Sequence, residues 1–373
     1  MNSLTLKDVK RNNYSLIYRL LYHEKKLSKQ DLANRLRLSL PTVSQNLNQL
    51  ESQGLVRKSG LLAGQVGRKA VAYSLCEKAR VAVGVEIQRD VLLITAVDIY
   101  GRTFLRKETR CVFRDESGYY EEVGRAVLDF LAEMEVTPGA VLGIGFAVQA
   151  LASADGREIT YGKILYRTGM LVDELEKGIK LPCSFIHDAR CAATAELWFD
   201  RKIKDAVYLS VGKHLGGALI MNRRIHQGSR GCSGAIEHMT LVRDGRDCYC
   251  GGHGCMEAYC SLEALLQGKD TLPRFFERLR AGEAEYVRRW TSFLEDLSVA
   301  LNDLYAIFDV PCILGGSIAP YITKDDIDSL HERVFSRTAF PNPQPFIKIS
   351  NAPADNVAVG AALPYIRRYL DSV

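Results

Sequence analysis

The sequence predicts an α/β protein built as an N-terminal winged helix-turn-helix followed by a two-lobed body with a metal loop in its second lobe. Three observations carry that expectation. Residues 1–80 hold 15 Lys and Arg against 5 Asp and Glu, a balance of +10 that leaves −5 on the rest of a chain of net charge +5. A basic amino-terminal segment on an acidic body is what a nucleic-acid-binding module joined to another domain shows, although a solvated basic face without a partner would show it as well. Beyond residue 80, strand and helix patterns mix in an order that suggests two α/β lobes with a cleft between them. Finally, three cysteines cluster in Cys248-Tyr-Cys250-Gly-Gly-His-Gly-Cys255. These patterns divide the chain into a DNA-binding domain at 1–76, a first lobe at 81–188 completed by a closing helix at 357–373, and a second lobe at 189–356. Ten cysteines, no charged-then-apolar leader and no apolar run long enough to span a bilayer suggest a reducing, cytoplasmic setting away from membranes.

In the first domain, Tyr14, Ile17, Tyr18, Leu21 and Tyr22 recur at helical spacing and must pack on something. Ser28-Lys-Gln-Asp31 resembles a helix start, with Ser28 as N-cap and Leu32, Ala33 and Leu36 as inward candidates. After a short turn at Leu38-Ser39, Ser39 can cap a second helix whose first turn holds Pro41 and whose Val43, Leu47 and Leu50 fix the buried face. The opposite face offers Pro41, Ser44, Gln45 and Asn48, flanked by Thr42 and Gln49, amides and hydroxyls that can hydrogen-bond base edges and phosphates. Leu55–Lys58 and Ala70–Leu75 then read as two strands around a Gly-rich tip, which makes a wing. The expected DNA contacts place the helix that begins near Ser39 and Pro41 in the major groove, with Ser44, Gln45 and Asn48 at base edges. Thr42, Lys29, Arg57 and Lys58 are expected at phosphates and Arg68 at the minor groove. A helix-turn-helix used only for protein contacts is the alternative; charge, helix pattern and wing agree on DNA.

In the body, 82–94 reads as a strand pair, with Asp98-Ile-Tyr-Gly101 turning into a third strand. A helix at 119–135 and an apolar strand at 140–148 follow. Gly143-Ile-Gly145 lacks the third glycine and the following helix of a dinucleotide motif. Ser184–Asp188 reads as a strand running into a helix at 189–199, where Asp188 could serve simply as an N-cap. A hairpin over 206–221, helices near 261–267, 272–281 and 283–307, a strand ending at Gly315-Gly316, and a last helix at 357–369 complete the pattern.

Gly251, Gly252 and Gly254 would let the backbone fold tightly enough to bring the Cys248, Cys250 and Cys255 thiolates to one point. His238 completes a Cys3His set of the donors that zinc prefers, and four protein ligands leave no open position, so such a zinc would be structural. Free or disulfide-bonded cysteines are the alternative, with Cys-x-Cys awkward for an internal disulfide. His253 competes as a ligand but is expected to point outward.

Cys-x-Cys-Gly-x-x-Gly-Cys-x-Glu, preceded at this distance by a histidine, resembles the mark of the ROK family of repressors and sugar kinases. Leu314-Gly-Gly-Ser317 and the winged helix extend the resemblance over essentially the full chain, to the branch that adds a winged helix before an actin-like sugar-kinase body. In ROK kinases an Asp-Ile-Gly-Gly-Thr turn and a Gly-Thr-Gly-x-Gly-Gly loop approach the nucleotide phosphates. The matching segments here are Glu86-Ile-Gln-Arg-Asp90 and Gly212-Lys-His-Leu-Gly-Gly217, so small residues have become Gln88, Arg89, Lys213 and His214. Phosphoryl transfer is not expected, nor is ATP. On the sugar side, the resemblance aligns Asp188 with the catalytic base, while His187 replaces an asparagine and Ala235 a sugar-contacting glutamate. It makes His187, Asp188, His238 and Glu257 the candidate ligands of a polyhydroxy effector, a purely structural cleft being the alternative.

The function expected is a transcriptional regulator, most often a repressor in this branch, that binds operator DNA as a homodimer or homotetramer and senses a carbohydrate or related metabolite. An ATP-dependent sugar kinase is argued against by the altered loops, and a zinc hydrolase by the complete ligand set.

Overall fold

The structure, a computed structural model, describes residues 6–62, 70–114, 117–137, 139–165, 168–340, 343–352 and 355–373. The amino-terminal unit comprises α1 (Leu6–Glu24), β1 (Leu27–Ser28), α2 (Lys29–Leu36), α3 (Leu40–Ser52), β2 (Val56–Leu62) and β3 (Ala70–Leu75). Ser28 caps α2 in a full capping box: its hydroxyl accepts from the Asp31 N–H, and the Asp31 carboxylate accepts from the Ser28 N–H. Ser39 caps α3 through the Thr42 N–H, with Pro41 in the first turn. Val43, Leu47 and Leu50 are buried in one core with Ile17, Tyr18, Leu21 and Leu32. The wing has a third strand that sequence did not reveal. Leu27–Ser28 pairs antiparallel with β3, giving the order β1-β3-β2, and two residues are too few to show a period.

The first lobe contains β4 (Val81–Ile87), β5 (Val91–Val97), β6 (Thr103–Arg110), α4 (Ser117–Glu133), β7 (Val141–Val148), β8 (Leu151–Ala152), β9 (Ile159–Tyr161), α5 (Asp173–Ile179) and β10 (Cys183–His187). Its sheet runs β10-β7-β4-β5-β6, parallel across the first three strands and antiparallel beyond. Alternation along β4 divides its two faces. Val81, Val83, Val85 and Ile87 join a core with α4 and α5, while Gly84 lies against the closing helix.

The second lobe contains α6 (Asp188–Phe199), β11 (Ala206–Val211), β12 (Leu215–Met221), β13 (Arg224–His226), α7 (Glu257–Cys260), α8 (Leu262–Leu266), α9 (Leu272–Arg280), α10 (Ala284–Phe308), β14 (Cys312–Gly315), α11 (Lys324–Phe335) and β15 (Ile347–Ile349). The sheet order is β13-β12-β11-β14-β15. Val207, Leu209 and Val211 pack with α7 to α11, whereas Ala206 and Tyr208 pack with α6.

The closing helix, α12 (Asn356–Ser372), lies on β4 and β7 and against α6, forming the seam of the body. A Cβ on Gly145 would sit 2.0 Å from the Ala361 carbonyl oxygen, and one on Gly143 would sit 2.2 Å from the Tyr365 ring. The Gly143/Gly145 pair therefore serves close helix packing, not a nucleotide. The winged helix is rooted in the same seam. Ile17, Tyr18 and Leu21 share a core with Val359, Leu363 and Ile366, and Tyr18 meets Tyr369 edge-on at 6.1 Å between ring centroids. This is what the apolar stripe of α1 packs on. No helix among the described residues is long and apolar enough to cross a membrane.

Candidate functional site: DNA face, metal loop and interlobe pocket

On α3, Pro41, Gln45 and Asn48 are exposed, as are Ser39 before it and Gln49, while Ser44 is half-buried. The polar stripe therefore faces away from Val43, Leu47 and Leu50. Asn46, which sequence gave no reason to single out, is buried, its amide donating to the Thr42 carbonyl at 2.8 Å. Two phosphate candidates are occupied differently from expectation. The Thr42 hydroxyl lies 2.8 Å from Ser39 Oγ, inside the helix cap. Lys29 is half-buried, its ammonium 5.7 Å from the Tyr73 ring centroid. Arg57 and Lys58 are exposed on β2, and Arg68 lies outside the described residues.

The metal loop runs from a 3-10 turn at Ile236–His238 to the start of α7. The ligand atoms of His238, Cys248, Cys250 and Cys255 all lie within 4.8 Å of one another. Cys250 and Cys255 Sγ are 3.8 Å apart, and Cys248 Sγ is 3.7 Å from His238 Nδ1. A tetrahedral ion bonded at about 2.3 Å to sulfur and about 2.0 Å to nitrogen has edges of about 3.5–3.8 Å, so the donor set fits zinc. Gly254 makes the turn possible: its φ is +74°, and a Cβ there would lie 1.7 Å from the Val242 carbonyl oxygen. His253 is exposed and bonds Asp247 at 2.9 Å, away from the cluster.

A cavity of about 300 Å³ opens between the lobes. That is the small end of ligand pockets, which run from about 300 to 1,000 Å³. His187, Asp188 and His238 line it. His187 takes the N-cap position where β10 meets α6, so Asp188 stands in the first turn and is not the cap. His187 Nε2 is 3.3 Å from Asp188 Oδ1, and Nδ1 is buried without a protein partner. Burial, aided by the charges of Arg190 and His238, pulls His187 down to about 3, which keeps the ring neutral at pH 7. Burial pushes Asp188 up to about 6. His238 turns Nδ1 to the cysteines and places Nε2 3.4 Å from the Tyr249 hydroxyl, so one imidazole joins the metal loop to the pocket.

Glu257 stands behind the wall. One of its oxygens is 2.8 Å from His214 Nδ1 and the other accepts from the Leu215 N–H at 2.7 Å, so His214 takes its place at the cavity. A buried carboxylate needs such partners, and these use both oxygens. Sequence reasoning read His214 as a lost phosphate-loop residue; the pairing to Glu257 spans 43 positions and has no local signal. It also passed over Tyr249 and Glu237, both of which line the pocket. Tyr249 had a signal: with Cys248 and Cys250 drawn to one point, the side chain between them is driven to the other side. Glu237 lies two positions beyond Ala235 and lines the same cavity. Its Oε2 is buried without a partner, and burial, with the charges of Asp188 and Glu257, pushes it up to about 8.

At the β4–β5 turn, the Gln88 amide folds back onto Glu86 at 2.7 Å, and the carbonyls of Arg89 and Asp90 accept from Phe113 and Cys111. At the β11–β12 turn, Lys213 lies on the surface, 3.8 Å from Glu263.

A winged helix rooted in the closing helix of a bilobal, sugar-kinase-like body defines a class, the DNA-binding regulator made from a kinase fold. The chain belongs to the ROK family, whose model matches residues 82–365, and residues 7–60 match the MarR family. It is 26% identical over 270 residues to the xylose repressor of Bacillus subtilis (strain 168), covering 70% of this chain and 69% of that one. It is also 26% identical over 262 residues to the DNA-binding transcriptional dual regulator NagC of Escherichia coli (strain K12), covering 69% of this chain and 64% of that one. Its fold is similar to that of a ROK family transcriptional regulator homologous to the E. coli MLC protein, with a TM-score of 0.76, 18% identity, and coverage of 97% of this chain and 96% of that one. A ROK family glucokinase from Streptomyces griseus, solved with glucose and AMPPNP, matches with a TM-score of 0.66 and 22% identity over 76% of this chain and 98% of that one.

The raised Asp188 carboxyl has a measurable consequence. A carboxyl whose folded pKa exceeds its unfolded value near 3.9 begins to cost stability above that pH and reaches its full cost above about 6. Asp188→Asn is expected to raise Tm at pH 7 and to leave it nearly unchanged at pH 4. Calorimetry at the two pH values checks this; a variant that melts lower at pH 7 contradicts it.

Proposed function

We propose that this ROK repressor responds to a carbohydrate: the winged helix binds operator DNA, and the interlobe pocket binds a sugar or sugar derivative that sets its DNA affinity. The observation that carries the reading is the pair of buried, unpartnered polar atoms, His187 Nδ1 and Glu237 Oε2, on residues lining one small cavity with Asp188 and His214. An unsatisfied buried polar group costs about 1–3 kcal/mol, and a hydroxyl-rich ligand can supply the missing partners. Relatives named for xylose and N-acetylglucosamine support the same ligand class. Glu237 and Asp188 would bond sugar hydroxyls, with the neutral His187 as donor or acceptor. We place no phosphoryl transfer here. Gln88-Arg89 and Lys213-His214 replace the small residues that let a backbone approach phosphates.

Zinc, held by His238, Cys248, Cys250 and Cys255, would fix the loop that presents His238 and Tyr249 to the pocket. Protein purified without chelator is expected to carry one zinc per chain, and Cys255→Ser to lower both zinc content and Tm. Elemental analysis finding no stoichiometric zinc in the wild-type protein contradicts this part of the reading.

Toward DNA, Ser44, Gln45 and Asn48 would meet base edges and Arg57 and Lys58 phosphates, with Ser39 and Pro41 setting where the helix begins. A dimeric or tetrameric body would read a pseudo-palindrome with half-sites whole turns of about 10 bp apart. The two contact classes separate experimentally. Gln45→Ala is expected to cost roughly 1–3 kcal/mol and relax preference at one base position. Lys58→Ala is expected to weaken operator and scrambled DNA alike and to flatten the salt dependence by about one unit of slope. Binding across a salt series on both DNAs checks the pair. An unchanged operator-to-scrambled ratio for Gln45→Ala shows the recognition helix to be in another register.

A further inference from the structure

We propose a second ligand site, for a small molecule carrying two or more phosphate-like anionic groups, in the cavity between α1 and the α6–α12 seam. This cavity measures about 700 Å³. Its walls include Arg19, Lys25, Arg102, Arg201, Arg223 and Arg367, against the single acid Asp371.

Some of these cations have structural work. Arg223 donates to the carbonyls of Leu197, Arg201 and Ile203, Arg19 donates to that of Asp371, and Arg102 lies 3.9 Å from Glu77. That leaves Lys25, Arg201 and Arg367, none of which has a carboxylate in ion-pair contact among the described residues. Arg367 lies over the Trp198 ring at 5.8 Å, and the Lys25 ammonium is 3.2 Å from the Tyr100 ring centroid. So many like charges around one recess repel each other, and a bound polyanion relieves that repulsion. Burial, with the neighbouring charges of Arg102 and Arg201, pulls Lys25 down to about 8, as such crowding requires. Arginine forks match the oxygens of phosphate two at a time. Tyr22, stacked on Tyr100 at 5.1 Å, and Trp198 supply flat apolar wall beside them.

None of the lining residues belongs to α3 or β2, which carry the DNA contacts proposed above. The lining comes from α1 and the adjoining Lys25 on one side and, on the other, from the body: the β5–β6 turn, α6 with Arg201 beyond it, Arg223 between β12 and β13, and α12, so a polyanion there bridges the winged helix and the body. Such a ligand would favour one arrangement of the two units and change operator affinity by linkage. The site is independent of the sugar reading of the interlobe pocket.

Isothermal titration of the full chain at fixed ionic strength, with inorganic pyrophosphate, fructose 1,6-bisphosphate and glucose, tests the proposal. Saturable one-to-one binding of at least one phosphorylated probe is expected, with none of the affinity shared by glucose at this site. Arg201 is exposed, so Arg201→Gln should fold normally and bind that probe at least tenfold more weakly. Lys25→Gln serves as a second variant expected to show the same loss. The proposal is overturned by three results. They are failure of both phosphorylated probes to saturate, binding that neither substitution weakens, and Arg201→Gln flattening the salt dependence of operator binding, which would make these cations a DNA-phosphate surface.

Discussion

The packing of α12 is the constraint on which the rest of the molecule depends. One face of this helix lies so close to the first sheet that Gly84 and Gly145 cannot carry a side chain: a Cβ on Gly84 would sit 1.7 Å from the Ala358 carbonyl oxygen. Its contact with α6 is equally tight, with a Cβ on Gly360 1.8 Å from the Cys191 carbonyl oxygen. A third stretch of its surface receives Ile17, Tyr18 and Leu21 from α1. Close-packed interiors transmit displacement because they have no room to absorb it. A shift of α6, whose first turn holds Asp188 at the pocket, would therefore reach the winged helix through a single helix.

The Cys3His loop would contribute the second link. His238 belongs to the ligand cluster through Nδ1 and to the pocket through Nε2, and Tyr249 sits between two of the cysteines with its ring 5.3 Å from both His214 and His238. A structural ion in this position would do more than hold a loop. It would fix the tautomer and direction of an imidazole that a ligand touches. His214 takes its place at the same pocket through its contact with the buried Glu257.

What was legible in the sequence follows from range. Helix starts at Ser28 and Ser39, the buried stripe of α3, the alternation of β4 and β5, and the Cys3His cluster rest on residues that are neighbours or nearly so, and spacing alone brings them together. The pocket wall was legible only in part. His187, Asp188 and His238 were found by position, but Glu257 was assigned a surface that His214 occupies, because a carboxylate's partners 43 positions away leave no periodic trace. Glu237 drew no notice because its place at the pocket comes from the 3-10 turn at Ile236–His238, which leaves no periodic signal. Thr42 and Lys29 looked free as side chains on an outer face, yet the helix cap and the Tyr73 ring engage them. The two-residue strand β1 was invisible for want of length.

Under the proposed function, ligand in the interlobe pocket is felt at the recognition helix. Fluorescence anisotropy on operator DNA tests it most directly, with and without a pentose, hexose or amino sugar first shown to raise the Tm of the DNA-free protein. Such a sugar is expected to change operator affinity at least tenfold, about 1.4 kcal/mol of coupling. A sugar that binds and stabilises the protein while operator affinity stays the same would contradict it.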